Sequence, residues 1–202
     1  MYFDELNFLS GSELEVITKR VEKFYKLSKE EYAKSNLNDT YTFEEGRHTP
    51  GIAEQKAYRV RFWTHKLDAD SEYIGFFGKE IEPLLTKMRE YFHNNGIFNI
   101  KLTNVWLQYG DINTKMDRHT DGHLKNAPPE KCYTSTYFCH SHWDDNWGGQ
   151  FNLAEQGGSR EFITFSANPN RLLMWTREHH HWMTPITQIC PKRMFIGTSW
   201  YE

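Results

Sequence analysis

The strongest constraint on the fold is a change in the character of the sequence at Phe98. From there on, short segments rich in aromatic and β-branched residues alternate with turn signals; they are FNIKLTNVWLQYG, CYTSTYFCH, GGQFNLAE, REFITFSA, NRLLMWT, WMTPITQI and RMFIGTSWY. Aromatic and β-branched side chains favour strands, whereas the glycine and asparagine pairs between segments favour turns. Seven or eight strands over about a hundred residues predict an all-β sandwich or roll.

The N-terminal half carries the helical signals. A helix is predicted from about Ser12 to Lys34, because Ser12 and Glu15 form a Ser-x-x-Glu capping box ahead of an apolar stripe at helical spacing. A second helix is predicted from about Lys79 to Asn95, with Pro83 in its first turn. Between the two helices, alternating apolar and basic residues over Tyr58 to Phe62 indicate a strand.

These elements predict a single domain over residues 1–202, of the α+β class but mainly β. Residues 1–97 would supply helical support and substrate-side elements, and residues 98–202 the β core. The aromatic content of 16% provides the large apolar groups that a packed core of this size needs, and it excludes a disordered chain.

Charge and composition narrow the range of partners. The formal net charge of −3 gives no general attraction for nucleic acid or anionic membranes. No apolar run approaches the roughly 18 residues of a membrane span, and the N-terminal residues lack a basic-then-apolar signal pattern. The three cysteines are an odd and sparse set, typical of reduced thiols. We therefore expect a soluble cytoplasmic protein, whose oligomeric state stays open.

The stretch MDRHTDGH, residues 116–123, concentrates groups that can bind a metal. In an extended segment, His119 and Asp121 would point to the same side and converge. A third ligand from a distant strand would complete a set of two histidines and one carboxylate, which suits non-haem Fe(II) and leaves three positions open. A lone His-x-Asp triplet is common in solvated loops, so the argument also needs the histidine run at residues 179–181.

Several motifs follow one another in a defined order: LQYGD, Met-x-x-His-x-Asp-Gly from Met116, TYFCHSHWDDNWGG, NRLL, His-x-x-x-Pro from His181, and FIGTSWY after Arg193. From about Trp106 to Tyr201 the chain thereby resembles the 2-oxoglutarate- and Fe(II)-dependent oxygenases. Within them it is similar to the prolyl 4-hydroxylase-like branch and its small bacterial and phage relatives. The resemblance implies a double-stranded β-helix core, also called a jelly roll or cupin-like fold, supported by the N-terminal helices.

The resemblance also implies a metal site. The residues that match the family's Fe(II) ligands are His119, Asp121 and His181. His180 and His179 remain alternatives to His181, which is preferred because it lies four residues before Pro185. Halogenases of this family carry a small residue at the carboxylate position, so Asp121 indicates hydroxylation instead.

A co-substrate site is implied in the same way. Arg193 matches the basic residue that grips the distal carboxylate of 2-oxoglutarate, a role that guanidinium suits through its bidentate geometry. Lys192 remains an alternative, because the interval from Arg193 to the following tryptophan is longer than in similar sequences. Tyr109 matches a tyrosine of the co-substrate pocket. Phe138 replaces a tyrosine that is frequent in the family, so Thr136 or another tyrosine is expected to supply the missing hydroxyl.

The implied activity is hydroxylation of an unactivated C–H bond, with release of succinate and CO2. It would use Fe(II), 2-oxoglutarate and O2, with ascorbate as an optional reductant. The implied substrate is a prolyl residue or another amino-acid substrate, either free or within a peptide or protein. Trp200 and Trp143 are the candidates for its pocket.

Other interpretations stay open at this stage. The domain could be a non-catalytic β-roll that binds a metal or ligand as a sensor or interaction module, since fold alone does not decide function. A Zn-dependent hydrolase would need a tetrahedral site and a general base. Cys139, His140 and His142 form a Cys-His-x-His motif, which is a candidate soft metal site. The segment Leu37 to Gly51 is either a lid or a surface loop.

Overall fold

The computed structural model describes residues 1–26, 41–45, 58–62, 74–75, 77–110, 112–121, 128–154, 160–189 and 191–202. Some predictions fall elsewhere: residues 27–34 of the first helix, the candidate lid apart from residues 41–45, and Gly122 of the metal motif lie outside the described residues.

The described β-structure forms two antiparallel sheets. The strands are Tyr2–Glu5 (β1), Tyr41–Glu45 (β2), Tyr58–Phe62 (β3), Lys101–Gly110 (β4), Met116–His119 (β5), Cys132–Phe138 (β6), Phe151–Ala154 (β7), Phe162–Phe165 (β8), Leu172–Thr176 (β9), His181–Met183 (β10) and Arg193–Tyr201 (β11). The large sheet has the order β1-β9-β6-β11-β4-β3-β2, and the small sheet has the order β5-β10-β7-β8. From β4 onward the chain passes repeatedly between the two sheets. This is the predicted double-stranded β-helix.

Two helices, Gly11–Lys26 (α1) and Glu82–Asn94 (α2), cover one face of the large sheet. The second begins after a 3-10 turn and has Pro83 near its start, as predicted. The predicted N-cap of the first helix was wrong. Ser10 caps it, because the Ser10 backbone N–H donates to Glu13 Oε2 (2.8 Å) and the Glu13 N–H donates to Ser10 Oγ (3.3 Å).

The large sheet therefore has two faces with different environments. Its helix-facing side chains pack with α1 and α2 in one apolar core; they include Leu102, Leu107, Tyr109, Tyr133, Ile196 and Trp200. The opposite side chains pack towards the small sheet in a second core, which includes Trp106, Phe138, Leu173, Trp175 and Phe195. Because successive residues of a strand alternate between faces, this division decides which side chains can reach a site between the sheets.

No helix among the described residues is both long enough and apolar enough to cross a lipid bilayer.

Candidate metal centre and adjoining cavity

Three potential metal ligands meet between the ends of the small-sheet strands. His119 ends β5, Asp121 follows two residues later, and His181 begins β10, where it pairs directly with His119. Their ligand atoms all lie within 4.8 Å of one another. His181 Nε2 is 3.8 Å from Asp121 Oδ2. Within the part of the chain that the structure describes, this is the one cluster of three such groups.

Backbone carbonyls orient both imidazoles. The Nδ1–H of His119 donates to the Asp117 carbonyl (2.7 Å), and Nδ1 of His181 lies 3.4 Å from the His179 carbonyl. This arrangement leaves Nε2 of each ring as the atom with a free lone pair. The His181 ring is fixed further by stacking on Phe151, with centroids 5.6 Å apart.

The charges of the cluster suit a cation. Burial lowers the pKa of His181 to about 4, so this imidazole is neutral near pH 7. Burial opposes the charge on Asp121, but His181, the Thr134 hydroxyl and Arg177 together bring its pKa below the usual range. Asp121 Oδ2 is shielded from solvent and has no hydrogen-bond partner among the described residues. Two imidazoles and a carboxylate with an unmatched buried oxygen fit a divalent metal.

The other two histidines of the run have different surroundings. His179 Nδ1 lies 3.0 Å from the Thr176 hydroxyl, so its ring is held at the end of β9. His180 is half-buried, and it is His181 that faces the other two ligands. Of the three, His181 alone lies in β10, whereas His179 and His180 belong to the turn that precedes this strand.

A buried arginine lies in the same cavity as the cluster. Arg193 begins β11, and burial lowers its pKa to about 9. Its guanidinium lies over the Phe138 ring (4.8 Å to the centroid) and near the Phe195 ring (5.4 Å). Within the described residues, no hydrogen-bond partner reaches its Nε or Nη2. A buried guanidinium with two unmatched donors is suited to an anionic ligand that accepts both hydrogen bonds, such as a carboxylate.

One cavity between the sheets connects the two sites. The described residues that line it are Trp106, Gln108, Met116, His119, Asp121, Thr134, Thr136, Phe151, Trp175, His181, Met183, Arg193 and Phe195. The three potential ligands and the guanidinium are its charged or metal-binding groups, and most of the remaining lining is apolar. Lys192, the alternative to Arg193, is not part of this described lining.

The structure brings Thr136 to the cavity but not the predicted aromatic residues. Tyr109 lies on the helix-facing side, where its hydroxyl donates to the Val21 carbonyl (2.7 Å). Trp200 lies on that side too and packs against Phe92, with ring centroids 5.4 Å apart. Trp143 is buried in the core between the sheets, and its indole N–H donates to the Gly148 carbonyl (3.0 Å).

Sequence reasoning missed several residues that line the cavity, among them Trp106, Gln108 and Thr134. Strand alternation was an available signal for Thr134. Given Thr136 as inward-facing, the inward residues of β6 also include Thr134, which pairs with Trp175 on β9. For Trp106 the signal is its pairing with Gly197 on β11, which no local pattern reveals.

The Cys-His-x-His motif does not converge on one point. Cys139 packs in the helix-side core, whereas His142 is exposed beside Trp147. His140 is buried between two backbone groups: its Nε2–H donates to the Ala167 carbonyl (2.6 Å), and its Nδ1 accepts from the Met194 N–H (3.3 Å). Burial lowers the pKa of His140 to about 4, so it is a neutral structural residue here.

Comparison with known proteins agrees with this geometry. Residues 105–202 match the family model described as the 2OG-Fe(II) oxygenase superfamily. A comparison with curated protein sequences finds no significant match.

Solved structures with a similar fold include several prolyl hydroxylases. A prolyl-4-hydroxylase of Pseudomonas putida superposes with a TM-score of 0.60 at 11% identity, covering 100% of this chain and 91% of that one. A Trichoplax adhaerens prolyl hydroxylase, solved with a hypoxia inducible factor peptide, gives 0.59 at 18%, covering 99% and 82%. A viral collagen prolyl hydroxylase of Paramecium Bursaria Chlorella virus-1 gives 0.59 at 14%, covering 98% and 94%. These identities establish a shared fold, and the match to the 2OG-Fe(II) oxygenase superfamily model covers residues 105–202 of the chain.

Proposed function

We propose that the protein is an Fe(II)- and 2-oxoglutarate-dependent dioxygenase that hydroxylates an amino-acid residue. The observation that carries the proposal is that one cavity holds both the His119, Asp121 and His181 cluster and the unmatched guanidinium of Arg193. A non-catalytic metal-binding roll has no need for a buried cation across the cavity from its metal. A co-substrate that chelates the metal at one end and carries a carboxylate at the other requires this pairing.

Each group has a defined task in this proposal. His119 and His181 would bind Fe(II) through Nε2, and Asp121 through its unmatched carboxylate oxygen, which leaves open positions for the co-substrate and O2. The bound metal and 2-oxoglutarate supply the oxidising chemistry, with succinate and CO2 as co-products.

The remaining lining positions and protects the reactants. Arg193 would hold the distal carboxylate in bidentate fashion, while Phe138 and Phe195 fix the plane of its guanidinium. Thr136 lines the same cavity, and its hydroxyl would donate to the co-substrate in place of the tyrosine that Phe138 replaces. Apolar side chains exclude water, which strengthens each of these contacts.

The proposed substrate is a prolyl residue or another amino-acid residue, in a peptide or protein or as the free amino acid. Support comes from structural neighbours that are prolyl hydroxylases, one of them solved with a peptide fragment. A carboxylate at position 121 supports hydroxylation, because it fills a coordination position that halide would otherwise occupy.

The proposal can be tested by adding Fe(II) and 2-oxoglutarate without O2 and recording the visible absorption spectrum. We expect a weak charge-transfer band in the wild-type protein. After O2 is admitted with a panel of prolyl peptides and free amino acids, we expect succinate. A wild-type protein that gives neither band nor succinate would refute the proposal.

Two aspartate variants make this test specific. Asp121→Ala removes the proposed ligand and should abolish the band. Asp117→Ala is the matched control, because the Asp117 side chain pairs with Lys115 while only its backbone carbonyl orients His119. The control should keep the band, and an Asp121→Ala protein with full Fe(II)-dependent turnover would exclude Asp121 as a ligand.

A further inference from the structure

An indole ring lies directly on a glycine in the middle of the cavity wall. Trp106 on β4 pairs with Gly197 on β11, and both are oriented towards the space between the sheets. A Cβ atom added to Gly197 would overlap Cε2 and Cζ2 of the indole. The ring therefore occupies the place of the side chain that Gly197 lacks, and only glycine permits this close approach.

This contact lies between the two ends of the cavity. Gly197 pairs with Thr136 on its other side, and the next inward-facing pair along the sheet is Thr134 with Ser199. Thr134 and Asp121 both line the cavity, so the end with the potential metal ligands begins one pair beyond Gly197.

The arginine lies in the other direction along β11. Arg193 lies four positions before Gly197, on the same face of β11. Phe195 lies between them on that face, and the Arg193 guanidinium is close to its ring. Inward-facing residues of a strand are about 7 Å apart. A ligand that reaches from the metal-binding cluster to Arg193 thus has to pass the indole of Trp106.

We propose that Trp106, placed on Gly197, determines which 2-oxo diacids the protein accepts. The inference rests on the proposed function and concerns the middle of the co-substrate. Both ends of that molecule are fixed, one at the metal and the other at Arg193. If the five-carbon chain of 2-oxoglutarate spans this interval, a six-carbon chain held at the same two ends has to bend outward by one methylene. The indole blocks this outward bend on the side of the large sheet, so the cavity binds 2-oxoglutarate in preference to 2-oxoadipate.

The test is calorimetric titration of the apoprotein with each diacid, in the presence of Mn(II) and without O2. Forcing an extra methylene into a packed site is unfavourable, so wild-type protein should bind 2-oxoadipate roughly tenfold or more weakly than 2-oxoglutarate, which corresponds to about 1.4 kcal/mol or more. In Trp106→Ala the space left by the indole can hold the extra methylene. The ratio of the dissociation constants of 2-oxoadipate and 2-oxoglutarate should therefore fall to about threefold or less. Trp106→Leu carries the same expectation if the alanine variant does not fold.

Two further variants separate shape from general destabilisation. Val105→Ala is the matched control: it truncates the neighbouring residue of β4, which is buried in the helix-side core, and should keep the wild-type ratio. Gly197→Ala introduces a methyl group into the space of the indole and should weaken binding of both diacids. The same change in the Trp106→Ala background should cost much less, because the overlapping ring is absent.

The outcomes distinguish this inference from the function on which it rests. If wild-type protein binds neither diacid and shows no charge-transfer band, the proposed function fails. If wild-type protein binds 2-oxoglutarate but does not discriminate, or if Trp106→Ala keeps the wild-type ratio, only the role of Trp106 is overturned.

Discussion

Replacing Arg193 with methionine should make the unliganded protein more stable and at the same time weaken its binding of 2-oxoglutarate. Arg193 is 2% exposed, and its Nε and Nη2 find no hydrogen-bond partner among the described residues. Methionine has a similar length and packs well against aromatic rings, so it can fill the same space over Phe138. The variant thus separates two effects of the buried charge: its cost to the free energy of unfolding and its contribution to the affinity for 2-oxoglutarate.

The structure gives the size of both effects. A pKa lowered from 12.5 to about 9 corresponds to an opposing free energy on the order of 5 kcal/mol for the charged form. Contacts with Phe138 and Phe195 offset part of this, at about 0.5–2 kcal/mol each. We therefore expect Arg193→Met to raise the free energy of unfolding by about 1–4 kcal/mol. Losing two charge-assisted hydrogen bonds, about 3 kcal/mol or more, should weaken 2-oxoglutarate binding by roughly 150-fold.

Urea unfolding in the presence of a chelator, followed by tryptophan fluorescence, measures the first quantity, and titration with Mn(II) and 2-oxoglutarate measures the second. Arg171→Met is the control, since Arg171 already has a partner in Asp4, with two contacts of 2.7 Å. It should lose about 1 kcal/mol or less of stability and keep its affinity for 2-oxoglutarate. An Arg193→Met protein that is destabilised and still binds 2-oxoglutarate normally would refute the assignment of a buried anion site.

Two further predictions concern residues outside the cavity. His140 has a pKa of about 4 when folded and 6.5 when unfolded, so its contribution is present above pH 6.5 and is lost as the pH falls to 4. The free energy of unfolding, measured with urea, should fall between pH 7.5 and 4.5 by up to about 3 kcal/mol less in His140→Gln than in wild-type protein. An unchanged pH dependence would contradict this. Gly148 has a φ of 78°, and a Cβ there would overlap the Pro185 carbonyl oxygen. Gly148→Ala should cost about 2–4 kcal/mol of unfolding free energy, whereas Gly11→Ala in α1, with open space around it, should cost nothing measurable. Equal stability of the two alanine variants would exclude a special role for Gly148.

The cluster of His119, Asp121 and His181 could be predicted in part because two of its members are close in sequence. His119 and Asp121 are two residues apart in an extended segment, so strand geometry alone brings them together. The third residue needed the order of motifs, and the structure brings His181 within 4.8 Å of the other two, measured between their potential ligand atoms.

The resemblance did not identify the aromatic residues that line the cavity. Whether a side chain reaches the cavity depends on which face of its strand it occupies, and the residue type does not show this. Trp200 lies seven positions after Arg193, and an odd number of positions along a strand places two side chains on opposite faces. The register shift between Ser199 and Trp200 also interrupts the regular pairing with β4 at this point. Tyr109 illustrates the same effect, since it follows the inward-facing Gln108 and so faces α1.

The two faces of the large sheet divide stability and function between them. The cavity face leaves buried polar atoms without described partners, among them Asp121 Oδ2, Arg193 Nε and Nη2, and Trp175 Nε1. Each buried polar atom without a partner costs on the order of 1–3 kcal/mol. The helix-side core is mainly apolar, and its buried Ser135 and Thr198 hydroxyls pair with each other. It buries Trp200 of the sheet and Phe92 of α2, each of which contributes about 1.5–3 kcal/mol. Because the helices stabilise the sheet from one side, the cavity side can keep polar groups unmatched and available to the proposed metal and co-substrate. Ligand binding should therefore stabilise the fold as well as complete the site.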